Sequence, residues 1–338
     1  MEPALLVAVC VVTTVATAVY RHFALRLGIL ATASSRTLHT GVVPRGGGVI
    51  FGLVFATGIL ILWTRGVVPT FLMLALGVGG VGAVSAGFID DVYGIRVAPK
   101  LGLHIALSVW LVVSLYEPLF DSFLSGLTTI WRIGVLLALV FVPVWLINLY
   151  NFIDGIDGMA ILGAIFVCAA AILLLFLKGA GSGFVVLFAL LGLSVAGFAP
   201  FNLPPARVFI GDAGSIFLGY CFACLMFATI HAGAVNTWSW ISLFAYFIGD
   251  TTTTTAVRVV LIRRWYRVHR SHAYQNLARM YKSHAKVTYG VMAYHVLWAL
   301  PMAIYAALRP ESAPLAATLA VVPVVAWALR FGPLFSSD

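Results

Sequence analysis

Apolar residues run along this chain in long, nearly unbroken stretches, separated by short clusters in which aspartate, asparagine, glycine and arginine gather. Such runs are unlike the alternating ten-residue strands of a transmembrane barrel. About 20 consecutive apolar residues let an α-helix cross the hydrocarbon core. The pattern predicts spans near residues 3–20, 46–63, 70–88, 101–117, 132–150, 159–177, 183–200, 215–232, 238–256, 290–308 and 314–331. The expected fold is therefore an all-α polytopic membrane protein with about 11 transmembrane helices (10–11), one integral membrane domain over residues 1–338. The segments around 118–131 and 201–214 are the least regular, and 257–289 is the long polar stretch.

Composition sharpens this picture. Of the 338 residues 62% are hydrophobic and only 9% charged. A soluble domain carries roughly 45–50% apolar and about 25% charged residues, so a hydrated globule is excluded, as is disorder, which requires low hydrophobicity. A net charge of +9 would suggest nucleic acid in a soluble protein. Here it reads as sorting between membrane faces. With eleven spans, 16 of the 20 Lys and Arg residues fall on one side and 4 on the other. The basic side is expected to be cytoplasmic and the N-terminus outside. The first apolar run lacks a basic leader region and is read as a span, not a removed signal. The four cysteines, Cys10, Cys168, Cys221 and Cys224, lie inside apolar runs and read as small packing residues.

With so few charges, each acid is informative. Glu2, Glu117, Asp121 and Glu311 fall in outer loops, and Asp338 ends the chain. The other six, Asp90, Asp91, Asp154, Asp157, Asp212 and Asp250, lie at or near the cytoplasmic ends of spans. Carboxylates near hydrocarbon are costly unless they face a cavity or a partner, so six on one face point to a shared polar cleft.

Each cluster suggests a task. Asp90-Asp91 ends the third span, and adjacent carboxylates need a cation or a shared proton; Arg96 and Lys100 follow closely. Asn148, Asn151, Asp154 and Asp157 recur every three residues, which makes one polar stripe if the fifth span continues helically. Hard oxygen ligands on one face suit Mg²⁺, or a ribose and a base edge. Gly211-Asp212-Ala213-Gly214-Ser215 places a carboxylate at a helix start, where phosphate is favoured and Asp212 serves either its metal or an N-cap. Arg263-Arg264-Trp265-Tyr266-Arg267-Val268-His269-Arg270-Ser271-His272 supplies cations, and Arg267 with Arg270 suits a bidentate diphosphate clamp. Pro44-Arg45-Gly46-Gly47-Gly48 offers a phosphate cradle or a plain flexible loop. Asp250 lies about two turns inside the ninth span beside the Thr251–Thr255 run, and its role is open.

These motifs occur in a fixed order: Pro-Arg-Gly-Gly-Gly, Phe-Ile-Asp-Asp, Asn-x-x-Asn-Phe-x-Asp-Gly-x-Asp-Gly, Pro-Pro-Ala-Arg-x-Phe-x-Gly-Asp-Ala-Gly-Ser and His-Arg-Ser-His-Ala-Tyr-Gln. The set resembles the polyprenyl-phosphate N-acetylhexosamine-1-phosphate transferase superfamily, the MraY/WecA-like enzymes of glycosyltransferase family 4, from about residue 36 to 290. The last motif is most similar to the WbpL-like branch that initiates O-antigen, and departs from the His-rich loop of the peptidoglycan branch. The resemblance implies that UDP-N-acetylhexosamine and undecaprenyl phosphate give undecaprenyl-diphospho-sugar and UMP at the bacterial inner membrane. It implies Mg²⁺, with Mn²⁺ as a substitute, held by Asn151 and Asp212. Asp157 would pair with the uracil edge, Phe209 would stack on it, and Asp154 would sit near the ribose. Asp90, with Asp91 beside it, would act on or orient the lipid phosphate. Arg45, Arg267, His269, Arg270 and His272 would bind diphosphate and sugar. Membrane lipid is the third partner, nucleic acid is none, and homodimer formation is open.

The charges make chemical sense of this scheme. Lipid phosphate and nucleotide diphosphate repel each other, and a divalent ion with arginines offsets that repulsion. A phosphate monoester with a second pKa near 6 is already largely ionised at pH 7, so direct attack is favoured over a phospho-Asp90 intermediate. The rival reading is a transporter with intramembrane carboxylates. It predicts acids spread through the bilayer depth rather than gathered at one face.

Overall fold

The computed structural model describes residues 2–27, 30–31, 43–179, 181–262 and 269–335. The apolar runs form helices: α1 (Glu2–Leu27), α2 (Gly48–Thr64), α3 (Thr70–Tyr93), α4 (Val97–Ser125), α5 (Thr129–Ile153), α6 (Met159–Leu177), α7 (Ser182–Asn202), α8 (Gly211–His231), α9 (Thr237–Leu243), α10 (Ala245–Leu261), α11 (Ala273–Tyr281), α12 (His284–Leu308) and α13 (Pro310–Phe331). Among the described residues nine helices are long and apolar enough to cross a membrane. All eleven expected spans are helical, with two differences. Helix α2 has 17 residues, and the segment expected at 238–256 is divided at Phe244 into α9 and α10. The segment expected to be irregular after residue 117 instead continues α4 through a π-helical turn at Tyr116–Phe120 as far as Ser125.

Helix α8 is the axis of the molecule and is almost wholly buried. It packs on α2, α3 and α5. Without a hydrophobic force between helices in lipid, small residues set how closely they approach. A Cβ at Gly48 of α2 would overlap Gly214 of α8, and one at Gly87 of α3 would overlap the Asp212 backbone. These contacts bring the ends of three helices together where the polar motifs lie. The flanking layers are α1 against α7 and α2, α6 against α7, and α10 against α13.

A short antiparallel pair joins Leu30–Ala31 to Val43–Pro44. The strand then runs into α2 alongside the turn before α8. Phe209 N–H donates to Pro44 O at 2.8 Å, Gly47 N–H to Phe209 O at 2.9 Å and Gly48 N–H to Ile210 O at 2.9 Å. This backbone seam delivers Arg45 to the start of α8.

Candidate active site

Helices α3 and α5 end, and α4 and α8 begin, at one common end of the bundle. That places Asp90 and Asp91 in the last turn of α3, Lys100 in the first turn of α4, Asn151 near the end of α5 and Asp212 at the start of α8. Acids at a helix C-terminus and a lysine at an N-terminus oppose the helix macrodipole. Their stability comes from each other.

Lys100 Nζ lies 2.7 Å from Asp90 Oδ2 and 2.7 Å from Asp212 Oδ2. Arg45 Nε lies 2.7 Å from Asp91 Oδ1, and its Nη2 lies 3.4 Å from Asp212 Oδ2. Asn151 Nδ2 donates to Asp212 Oδ1 at 2.5 Å and to Ser215 Oγ at 3.0 Å. Asp212 is thus the hub on which two cations and an amide converge. Burial works against the Arg45 charge, but Asp91, Asp212, Asp154 and Asp90 more than offset it and raise its pKa.

The adjacent carboxylates Asp90 and Asp91 have separate tasks. Asp91, whose side chain is fully occluded, accepts Asp212 N–H at 2.9 Å and Ala213 N–H at 3.0 Å, one on each oxygen. It caps α8 from another helix, which is the role the sequence left open for Asp212. Both oxygens of Asp91, expected beside Asp90 at the lipid phosphate, are committed to the cap and Arg45. Gly211, at φ +67°, allows this approach, since a Cβ there would strike the Asp91 carboxylate. Asp90 keeps the Lys100 contact and accepts Ile95 N–H at 2.6 Å.

The three-residue stripe on α5 does not persist, because the helix ends at Ile153. Asn148 donates to Val144 O within its own helix at 2.7 Å, and Asn151 alone reaches the carboxylate hub. Asp154 stands just past the helix end. Burial and then the Asp212 charge push its carboxyl well above the usual range, toward the protonated form. Asp157 is buried and committed: Oδ2 accepts Ala206 N–H at 3.0 Å, and Oδ1 lies 3.1 Å from His284 Nδ1. It ties the loop before α8, beside Phe209, to α12. Phe209 is half-buried in that same loop, with its backbone in the seam to Pro44 and Gly47.

The arginine-histidine motif meets the α5 end from the other side. Arg267 lies outside the described residues, and Arg270 is exposed. His269 and His272 stack at 5.1 Å between ring centroids, and His272 lies 5.8 Å from the Phe152 ring. Tyr274 Oη donates to Phe152 O at 2.5 Å, and a Cβ on Gly155 would overlap Tyr274 and Gln275. Burial, His272 and Arg258 lower the His269 pKa to about 3, so this ring is neutral at pH 7 and adds no charge to the arginines.

Lys100, one of the two cations that follow Asp90-Asp91, and Ser215 complete the site. Lys100 carries the charge between Asp90 and Asp212, and Ser215 receives the second Asn151 hydrogen bond. The signal for Lys100 was its place soon after two adjacent carboxylates that need a cation, in the first turn of an apolar helix and against its dipole.

Residues 72–230 match the family model described as Glycosyl transferase family 4. A Bacillus subtilis protein named probable undecaprenyl-phosphate N-acetylglucosaminyl 1-phosphate transferase is 28% identical over 62% of this chain and 58% of its own length. The decaprenyl-phosphate N-acetylglucosaminephosphotransferase of Mycobacterium tuberculosis is 31% identical over 67% of this chain and 59% of its own. A phospho-N-acetylmuramoyl-pentapeptide-transferase from Granulibacter bethesdensis is 29% identical over 66% and 67%. The chain therefore spans just under three fifths of the length of the first two relatives it matches. Over part of its length the chain is therefore similar to enzymes named as polyprenyl-phosphate N-acetylhexosamine-1-phosphate transferases. It is a multi-pass membrane protein.

Proposed function

We propose that this protein transfers an N-acetylhexosamine 1-phosphate from a UDP-sugar to undecaprenyl phosphate at the cytoplasmic face of the bacterial inner membrane. This would be the initiating step of O-antigen or another cell-surface polysaccharide. The observation that carries the reading is the Asp212 hub, where Lys100, Arg45 and Asn151 converge beside the N-terminus of α8. Cations beside a helix N-terminus suit the phosphates that both substrates carry.

The donor types also fit a divalent cation. Asp90, Asp212, Asn151 and Ser215 offer hard oxygens, and the Lys100 ammonium between two carboxylates marks a place that attracts positive charge. Among the described residues no cluster of three or more His, Cys, Asp or Glu side chains is placed to hold a metal alone. That suits Mg²⁺, which takes one or two carboxylates and completes its shell with phosphate and water. Asp212 and the Asn151 side-chain oxygen would hold it, and when bound it would neutralise charge on the diphosphate.

The chain's own groups supply the rest. The lipid phosphate oxygen attacks the sugar-bearing phosphorus, forming one P–O–P link and breaking the other, and UMP leaves. No proton need be removed from a nucleophile already ionised. Lys100 and Arg45 offset repulsion between the anions, and Asp90 orients Lys100. Asp154 would sit near the ribose. Arg267 and Arg270 would hold diphosphate oxygens, with the neutral His269 ring and His272 beside the sugar, and Phe209 would lie against the base.

The test is direct. Purified protein given undecaprenyl phosphate, Mg²⁺ and each of several UDP-N-acetylhexosamines should release UMP with at least one donor, and omitting the lipid should abolish it. Absence of UMP with every donor would overturn the reading. Binding or counter-transport of the same donors without turnover would favour the transporter.

A further inference from the structure

We propose that Asp250 is a positioning residue for the nucleotide-sugar half of the site, acting as a buried cap that fixes the start of α11 and, with it, the His269–Gln275 segment. This rests on the transferase reading above.

Asp250 lies one and a half turns into α10 and is fully buried. A carboxylate so placed is costly unless its oxygens are satisfied. Its oxygens point out of its own helix to the N-terminus of another. Oδ1 accepts Ala273 N–H at 3.1 Å, and Oδ2 accepts Tyr274 N–H at 3.3 Å. Thr254, one turn along α10, donates to Oδ1 at 3.1 Å. The Ala273 and Tyr274 amides thus find in α10 acceptors that their own helix does not supply, while the His272–Gln275 capping box serves the rest of the turn. The positive end of the helix meets the oxygens of an acidic side chain.

The cap also reaches the chemistry-bearing side chains. His272 Nδ1 lies 3.6 Å from Asp250 Oδ1. The His272 ring is held between His269 on one side and Tyr274 at 5.7 Å, while Gln275 Oε1 accepts His272 N–H at 3.4 Å. Tyr274 then anchors on Phe152 O, one residue from Asn151. A continuous set of contacts therefore runs from Asp250 through the start of α11 to the end of α5. Asp250 touches neither Asp212 nor Lys100. Its effect should fall on the substrate that the His269–Gln275 segment meets, and not on the carboxylate hub.

The arrangement repeats the one at α8, where Asp91 caps Asp212 and Ala213 from α3. In both places a buried aspartate in one helix fixes the first turn of another helix that carries site residues.

The full-length protein in lipid nanodiscs tests this in two ways. In the wild type, hydrogen exchange should show the Ala273 and Tyr274 amides protected well beyond those of the exposed Lys282–Ser283 turn. Rapid exchange at both would overturn the cap whatever the activity. In Asp250→Asn an amide NH₂ faces N–H donors. Its kcat/KM for the UDP-sugar should fall about 10–100-fold, the size of one or two lost charge-assisted hydrogen bonds, while KM for undecaprenyl phosphate stays within about twofold. Thr254→Val removes a bond within α10 and spares the cap, so it should keep near-normal kinetics. Equal loss for both substrates, or an equal loss in Thr254→Val, would show a general packing role and overturn the proposal. So would unchanged kinetics in a folded Asp250→Asn. If the wild type turns over no UDP-sugar, the transferase reading fails, and the exchange result still decides whether the cap exists.

Discussion

Lys100 and Asp212 stand 112 residues apart in the chain, yet the Lys100 ammonium donates to Asp212 Oδ2 at 2.7 Å. The same nitrogen holds Asp90. Lys100→Met would leave two buried carboxylates facing each other without their shared counter-ion. Breaking such a pair costs about 3–5 kcal/mol when fully buried, and the partial exposure of Lys100 puts the expected loss at the lower end. Thermal unfolding in detergent should show it. Asp212→Asn keeps the shape of the hub but removes its charge. Turnover should drop about 10²–10³-fold, as when one electrostatic stabiliser is removed from an active site. Near-normal UMP release with unchanged Mg²⁺ dependence would show that Asp212 serves only the fold.

The neighbours Asp90 and Asp91 should separate stability from activity. Asp91→Asn turns an amide NH₂ toward Asp212 N–H, Ala213 N–H or Arg45. It should cost about 1–3 kcal/mol, the penalty of unsatisfied buried groups, read as a lower midpoint of thermal unfolding. Asp90→Asn should cost more in turnover than in stability. The reverse ranking would exchange the two assignments.

The pH profile tests the state of His269. Its pKa is lowered to about 3 by burial, His272 and Arg258, from an ordinary 6.5. The ring is therefore neutral at the pH of assay, and His269→Gln should leave the shape of the rate profile between about pH 6 and 8 unchanged. Because the folded pKa is the lower one, this group's contribution to stability is complete above pH 6.5. It declines as pH falls from there toward 3. An inflection near neutrality that disappears in His269→Gln would contradict this.

The arginine pair separates diphosphate binding from membrane topology. Arg267→Lys/Arg270→Lys preserves charge but loses the planar fork. A diphosphate clamp predicts a loss of about 10–100-fold per contact, from charge-assisted bonds worth about 1.5–3 kcal/mol. Normal turnover and UDP-sugar affinity in a correctly inserted variant would leave these arginines with a topological role only.

Orientation is testable at two exposed positions, Ala98 at the start of α4 and Ser182 at the start of α7. With the site cytoplasmic, an impermeant thiol reagent outside intact cells should label Ser182→Cys and spare Ala98→Cys. The opposite pattern would invert the topology.

The sequence by itself determined the helices and the end of the bundle at which chemistry gathers. Runs such as Met159–Leu177 are helical because no other open structure satisfies its backbone in lipid. The aspartates fall at helix ends because ionised groups avoid the hydrocarbon centre. Both facts are local, so composition and spacing carry them. Partner choice is not local. Asp90 and Asp91 are adjacent and alike, yet one takes Lys100 and the other caps α8, because α3 meets α8 at Gly87 and turns only one of the two carboxylates toward the Asp212 backbone. The regular spacing of Asn151, Asp154 and Asp157 suggested a single face, but the end of α5 at Ile153 sends Asp157 to the loop before α8 and to His284. Asp250 gave no sign of its task, since its acceptor geometry is defined only against α11, 23 residues further along the chain. Helix packing, set by where glycines let backbones touch, decided which of these equivalent charges became partners.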